Sequence, residues 1–223
     1  MNKPASRAND CQEIWSVFEQ AFLGKNPCNV STDAYVSLIN TVTQDPVCNT
    51  MLFWSKTWHI VHEFTKKRNC FQTLEDTLLG YIMDGLTWCG KEGSNETFTT
   101  GCPLWNDCDN HAVKSFWYLA SAAFAEDACG DVSAMLNGSI ATPFTPSSVF
   151  ASIEVNKFNP NKMKSLTVVL VTSEDDSTSC DDPSLKTLQA ELHSELKYNC
   201  TLVTMSHIQE CISDPDAACG PCW

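Results

Sequence analysis

The sequence predicts a mixed α+β/α/β fold of two lobes, a helical lobe beside a small, mainly parallel sheet lobe, stapled by disulfides. Three observations predict it. Apolar residues in the first half recur at helical spacing. Apolar runs in the second half are short, β-branched and of strand length. Thirteen cysteines lie among 223 residues.

The elements follow in order. Ile14, Trp15, Phe18, Ala21 and Phe22 share one helix face. Met51 to Trp54 is a short apolar run of strand length. Trp58, Val61 and Phe64 mark a second helix. Thr73-Leu-Glu-Asp76 reads as a helix start, with Thr73 as N-cap and Asp76 reaching back. Val113, Phe116, Trp117, Ala120 and Phe124 mark a third amphipathic helix. Val132 to Leu136, Leu166 to Thr172 and Thr201 to Met205 then read as strands. Leu166 to Thr172 is near-continuous, as in a strand covered on both faces. Leu185, Leu188, Leu192 and Leu196 form a helical stripe before the last strand, and strand–helix–strand implies parallel pairing. The expected lobes are discontinuous: 1–47 with 73–128 helical, and 48–72 with 129–223 as the sheet lobe.

Composition bounds the function. Apolar residues make up 43%, enough for a packed core, and the formal net charge is -13. Such a surface repels nucleic acid and anionic lipid, so neither is an expected partner. The cysteine density points to an oxidising compartment, extracellular or in the secretory pathway. Four N-x-S/T sequons, at Asn29, Asn95, Asn137 and Asn199, agree with it and are the glycosylation candidates. Met1 to Asp10 holds no apolar leader, and no run of about eighteen apolar residues forms a membrane span. An export or anchoring segment is therefore expected upstream or already removed, and the odd cysteine count fits a missing partner.

Some patterns lead nowhere. Cys219-Gly-Pro-Cys222 spells a redox C-x-x-C, but such a pair needs a following helix, and the sequence ends at Trp223. A disulfide oxidoreductase using Cys219 and Cys222 stays a rival. His59-Ile-Val-His62-Glu63 is not a zinc-binding helix motif, and two surface histidines one turn apart are the default. His111, His193 and His207 are isolated, so no metal is expected. No G-x-G-x-x-G or Walker sequence is present.

Leu52-Phe-Trp-Ser55, Thr73-Leu-Glu-Asp-Thr-Leu-Leu-Gly-Tyr81, Thr87-Trp-Cys-Gly90, Ser115-Phe-Trp117, Met135-Leu-Asn-Gly-Ser139 and Phe150-Ala-Ser-Ile-Glu-Val155 occur in that order. Together they resemble the ADP-ribosyl cyclase family over Cys11 to Cys219, and Thr73–Tyr81 is the most specific block. The resemblance implies a site in the cleft between the lobes. It implies cleavage of the nicotinamide–ribosyl bond of NAD, and of NADP as a further substrate, to ADP-ribose or cyclic ADP-ribose. Base exchange and a role in calcium-mobilising messengers come with it. Glu154 matches the catalytic glutamate. Trp54 and Trp117 match the tryptophans that flank nicotinamide, and Glu75 and Asp84 the acidic pair of the same pocket, Glu75 with a catalytic part. Ser55, Ser121 and Phe150 fall at ligand contacts, and Lys56 where some members place an arginine near the phosphates. Val149 and Ala151 depart from the common residues of that segment. NAD is then substrate, with no cofactor implied. A homodimer is left open, and a non-catalytic surface receptor of the same fold is the other rival.

The residue types suit the chemistry. Nicotinamide leaves NAD as a neutral base, so no general acid is needed, unlike most glycosides. One carboxylate can stabilise the oxocarbenium-like sugar or bond to it. Aromatic faces suit a flat cation, at about 0.5–2 kcal/mol each. Each residue also has a plainer reading. Phe150 to Val155 alternates like a half-buried strand, which would make Glu154 its solvated side. Trp117 and Trp54 read by default as core, and Ser55, Lys56 and Ser121 as surface. Glu75 and Asp84, nine apart on a straight helix, would point to opposite sides; Gly80 or Gly85 could break it.

The resemblance also implies Cys28–Cys108, Cys48–Cys129, Cys89–Cys102, Cys180–Cys200 and Cys211–Cys219. Cys11, Cys70 and Cys222 remain without an assigned partner.

Overall fold

The computed structural model describes residues 10–42, 47–176, 178–216 and 218–223. The chain divides into two compact units, Met1–Asp45 with Leu78–Ala123, and Pro46–Thr77 with Phe124–Trp223. The Thr73–Asp76 segment and the last residues of the long helix thus group with the sheet.

The first unit is built on helices α1 (Cys11–Gln20), α2 (Val36–Thr41), α4 (Leu78–Met83) and most of α5 (Ala112–Glu126). Asp10 caps α1, its carboxylate accepting from the amides of Gln12 at 2.9 Å and Glu13 at 3.2 Å. The buried stripe Ile14–Phe18 then enters an aromatic core of Phe18, Phe22, Tyr35, Trp88 and Phe116. Trp88 Nε1 donates to the Tyr35 hydroxyl at 2.8 Å, satisfying both buried polar tips. Gly90 closes this core: a β-carbon there would lie 2.1 Å from the Phe22 carbonyl oxygen. Cys28–Cys108 and Cys89–Cys102 staple the unit.

His111, at the start of α5, is buried. Burial holds its pKa below the ordinary 6.5, with the Lys114 ammonium adding to the effect; a hydrogen bond to Trp105 and the Asp107 carboxylate partly oppose it. Between the folded pKa and 6.5 the unfolded chain binds the extra proton. This contribution to stability is therefore whole above about pH 6.5 and is lost as pH falls. Thermal melts at pH 7.5 and 5.0 should show a larger drop for the parent than for His111→Phe, and equal drops would reject the assignment.

The second unit is a four-stranded, all-parallel sheet of β1 (Leu52–Ser55), β2 (Gly130–Asn137), β3 (Met163–Thr172) and β4 (Lys197–Thr204), ordered 1-2-3-4. All four strand runs seen in the sequence are strands. β2 and β3 are central and buried on both faces, as the continuous apolar run of β3 requires. Side chains alternate between faces. On one face Leu52, Met135, Val169, Val171 and Val203 meet α3 (Trp58–Lys67) through Val61 and Phe64, and α7 (Met205–Ser213) through Ile208 and Ile212. On the other, Phe53 meets Phe124 at 5.1 Å and Phe158 at 5.0 Å. Helix α6 (Pro183–Glu191) ends before Leu192 and Leu196, so the expected leucine stripe is helical only in its first half. Among the described residues no helix is long and apolar enough to cross a membrane.

The disulfides correct one expectation. Cys48–Cys129 and Cys180–Cys200 are joined, but Cys211 pairs with Cys222, and Cys219 with Cys70. Cys211–Cys219 does not form, because Cys70, directly after α3, lies beside Cys219 across a sequence separation of 149. Cys219 and Cys222 therefore serve different bridges and are not a redox pair. Cys11 is free and exposed.

Candidate active site

In open parallel sheets, ligands bind at the carboxyl ends of strands. The end of β1 carries Trp54, Ser55 and Lys56. Trp54 is half-buried, Ser55 buried and Lys56 exposed. Lys56 adopts a left-handed backbone, φ 60°, which costs a non-glycine residue about 1–2 kcal/mol. Two contacts from β2 hold it there: the Asn137 side-chain amide donates to the Lys56 carbonyl at 3.1 Å, and the Thr57 hydroxyl donates to the Met135 carbonyl at 3.0 Å. Backbone strain held by such neighbours gathers at functional sites. Neither contact was legible from the sequence.

Trp54 is tethered. Its indole Nε1 donates to the Glu75 carboxylate at 3.2 Å. Glu75 lies on a single 3₁₀ turn, Leu74–Asp76, where a longer helix was expected. That turn is clamped by Asp76, which accepts from both the amide and the hydroxyl of Thr73 at 2.9 Å, the backward reach expected of it. The chain then runs extended through Thr77, φ -76°, ψ 163°, and α4 starts afresh at Leu78. The break needed to free Glu75 and Asp84 from one straight helix thus falls at Thr77, and not at Gly80 or Gly85.

Glu154 is 7% exposed. The plainer reading, a half-buried strand with Glu154 on its solvated side, does not hold. Phe150–Glu154 is one π-helical turn, with the Val155 amide donating to the Phe150 carbonyl five residues back. Such turns are rare and recur at functional sites. Local and distant contacts impose this one. The Ser148 hydroxyl accepts from the Ala151 amide at 3.1 Å, and Asn156 Nδ2 donates to the carbonyls of Ala151 at 3.3 Å and Ser152 at 3.2 Å. Phe150, fully buried, packs on Phe53 at 6.2 Å, Phe144 at 6.0 Å and Phe158 at 6.4 Å. Phe150 is thus enclosed by three aromatic rings. It anchors the Glu154 turn to the strand that bears Trp54.

The helical unit carries the remaining candidates. Trp117 and Ser121 stand one turn apart on α5, so they share a helix face. Trp117 is half-buried, edge-on to Phe116 at 5.2 Å, and so is not a closed core residue. Ser121 is buried, against the default of an exposed helix serine. Asp84 is exposed just beyond α4, its amide donating to the Gly80 carbonyl at 2.8 Å.

Comparison with known proteins agrees with the motif reading. A family model described as ADP-ribosyl cyclase matches residues 1–220. ADP-ribosyl cyclase/cyclic ADP-ribose hydrolase 1 of Rattus norvegicus is 42% identical over 191 residues, covering 84% of this chain and 63% of that protein. The chain thus spans less than two thirds of this relative's length. Porcine CD38 with a covalent intermediate superposes with a TM-score of 0.83 at 38% identity, over 88% of this chain and 87% of the other. Aplysia cyclase, complexed with substrate NGD and product cGDPR, gives a TM-score of 0.79 at 27% identity, over 94% and 85%. The chain belongs to the ADP-ribosyl cyclase family.

Proposed function

We propose that this chain cleaves the nicotinamide–ribosyl bond of NAD. The observation that carries the proposal is the buried Glu154 carboxylate on a π turn anchored to the strand that presents Trp54. The scissile bond breaks with its electron pair going to the pyridinium nitrogen, which leaves as neutral nicotinamide. The Glu154 carboxylate faces the resulting positive sugar carbon, stabilising it or bonding to it. The covalent intermediate named for porcine CD38 supports the bonded form. Water then gives ADP-ribose, the adenine ring gives cyclic ADP-ribose, and nicotinic acid gives the exchanged dinucleotide.

Trp54 and Trp117 flank the cationic ring, each worth about 0.5–2 kcal/mol. Glu75 and Asp84 hold the carboxamide and favour water over cyclisation. Ser55, Lys56 and Ser121 take the phosphates and ribose. NADP is a second substrate of the same site. The chain works outside the cell or in the secretory pathway, with Asn29, Asn95, Asn137 and Asn199 as glycan acceptors. The products serve calcium signalling.

Incubation with NAD followed by chromatography tests the proposal. Free nicotinamide is the expected product, and NAD persisting at high protein concentration would favour the receptor reading instead. Glu75→Ala should raise the ratio of cyclic to linear product several-fold, on the order of 1 kcal/mol of partitioning. An unchanged ratio would remove Glu75 from product control.

A further inference from the structure

The histidine pair on α3 is not a pair of surface residues. His59 is exposed, but His62 is only 7% exposed, and its Nε2 is buried with no hydrogen-bond partner among the described residues. The imidazole lies nearly perpendicular to the Trp54 indole, 5.8 Å between centroids and 72° between planes. One helical turn earlier, Trp58 backs the imidazole at 5.1 Å. Trp54 is thus held at two points, by the Glu75 carboxylate on Nε1 and by the His62 ring.

A single hydrogen bond leaves an indole free to swing about the donor direction. A second ring packed against it removes that freedom and fixes which way the aromatic face points. Perpendicular ring pairs are a favoured arrangement, so the contact attracts as well as blocks.

We propose that His62 is a positioning residue for Trp54, fixing the indole face that receives the nicotinamide cation. The proposal rests on the reading of Trp54 as a nicotinamide contact. His62 does not touch substrate; it acts through the indole. Its loss therefore weakens substrate binding and leaves the bond-breaking step intact.

Steady-state kinetics with NAD on the full chain tests this. His62→Ala should raise KM about tenfold with kcat within about twofold, the pattern of lost uniform binding. His62→Phe, which keeps a ring in place, should bring KM back to within about twofold of the parent. Should the alanine variant fail to fold, His62→Leu keeps the volume without a flat ring and carries the same expectation. Trp54→Leu is measured alongside. It should raise KM itself, and adding His62→Ala to it should change KM by less than about twofold, because the two act as one unit.

An unchanged KM in His62→Ala, or no recovery in His62→Phe, overturns the proposal. So does full additivity in the double variant, which would indicate a structural role independent of Trp54. If Trp54→Leu leaves KM unchanged, the reading of Trp54 itself fails, and the proposal falls with it.

Discussion

Glu154→Gln should lower kcat for nicotinamide release by about a thousandfold or more, while the protein melts no lower than its parent. The argument is electrostatic. The substitution keeps the shape of a side chain that is 7% exposed, so packing on the π turn is preserved. It removes only the negative charge. A charge set where positive charge develops at the sugar carbon acts mainly in the transition state, and losing such a group costs about 10² to 10³ or more. A thousandfold corresponds to about 4 kcal/mol of activation free energy. Loss of the covalent option, since a carboxamide is a poor nucleophile, pushes the effect further. Stability should hold, because the amide keeps the size and shape of the carboxylate at a closely packed position. Nicotinamide release followed by chromatography, with a thermal melt on the same sample, checks both halves. A kcat within tenfold of the parent would remove Glu154 from the centre of the chemistry.

The sequence made much of this fold legible, for identifiable reasons. The β-branched run of β3 is long enough to require burial on both faces, and it is one of the two central strands. The five apolar residues named on α5 lie on a real helix. What stayed hidden depends on partners distant in sequence. Phe150 to Val155 alternates like a strand, but the distant Phe53 ring, with the nearby Phe144 and Phe158 rings and the Ser148 and Asn156 side chains, holds it in a π turn. The break at Thr77 carries no glycine or proline to announce it. The Cys70–Cys219 bridge has no local signal at all. His62 had a usable one: it follows Trp58 by four, beside the buried Val61, so it borders the buried stripe of α3. Its polarity concealed that, as did the family resemblance, whose motifs stop short of it.

Arg68 sits on the same stripe, four residues after Phe64, and its loss should be the largest purely structural effect in the sheet unit. It is 1% exposed, one of the largest fully buried side chains among the described residues. Its guanidinium ends α3 and reaches the end of α7: Nη1 donates to the carbonyl of Cys211 at 3.0 Å and to that of Asp214, and Nη2 approaches the Cys219 sulfur at 3.6 Å. The cation also lies 5.9 Å from the Phe64 ring. A positive group at the last carbonyls of a helix complements the dipole and satisfies acceptors that have no intrahelical donor. One side chain thus joins α3 to α7 next to both C-terminal bridges, Cys70–Cys219 and Cys211–Cys222. Arg68→Met keeps the apolar stem but leaves those carbonyls without their donor. Hydrogen bonds to charged groups are worth about 1.5–3 kcal/mol each, so a loss of about 3–5 kcal/mol is expected. At roughly 2–4 °C per kcal/mol for a chain of this size, the melting point should fall by about 6–20 °C. Nicotinamide release well below the melting point should hold its kcat, because Arg68 supports packing and does not face the chemistry. A fall of less than about 2 °C would mean that water satisfies these carbonyls as well as the guanidinium does.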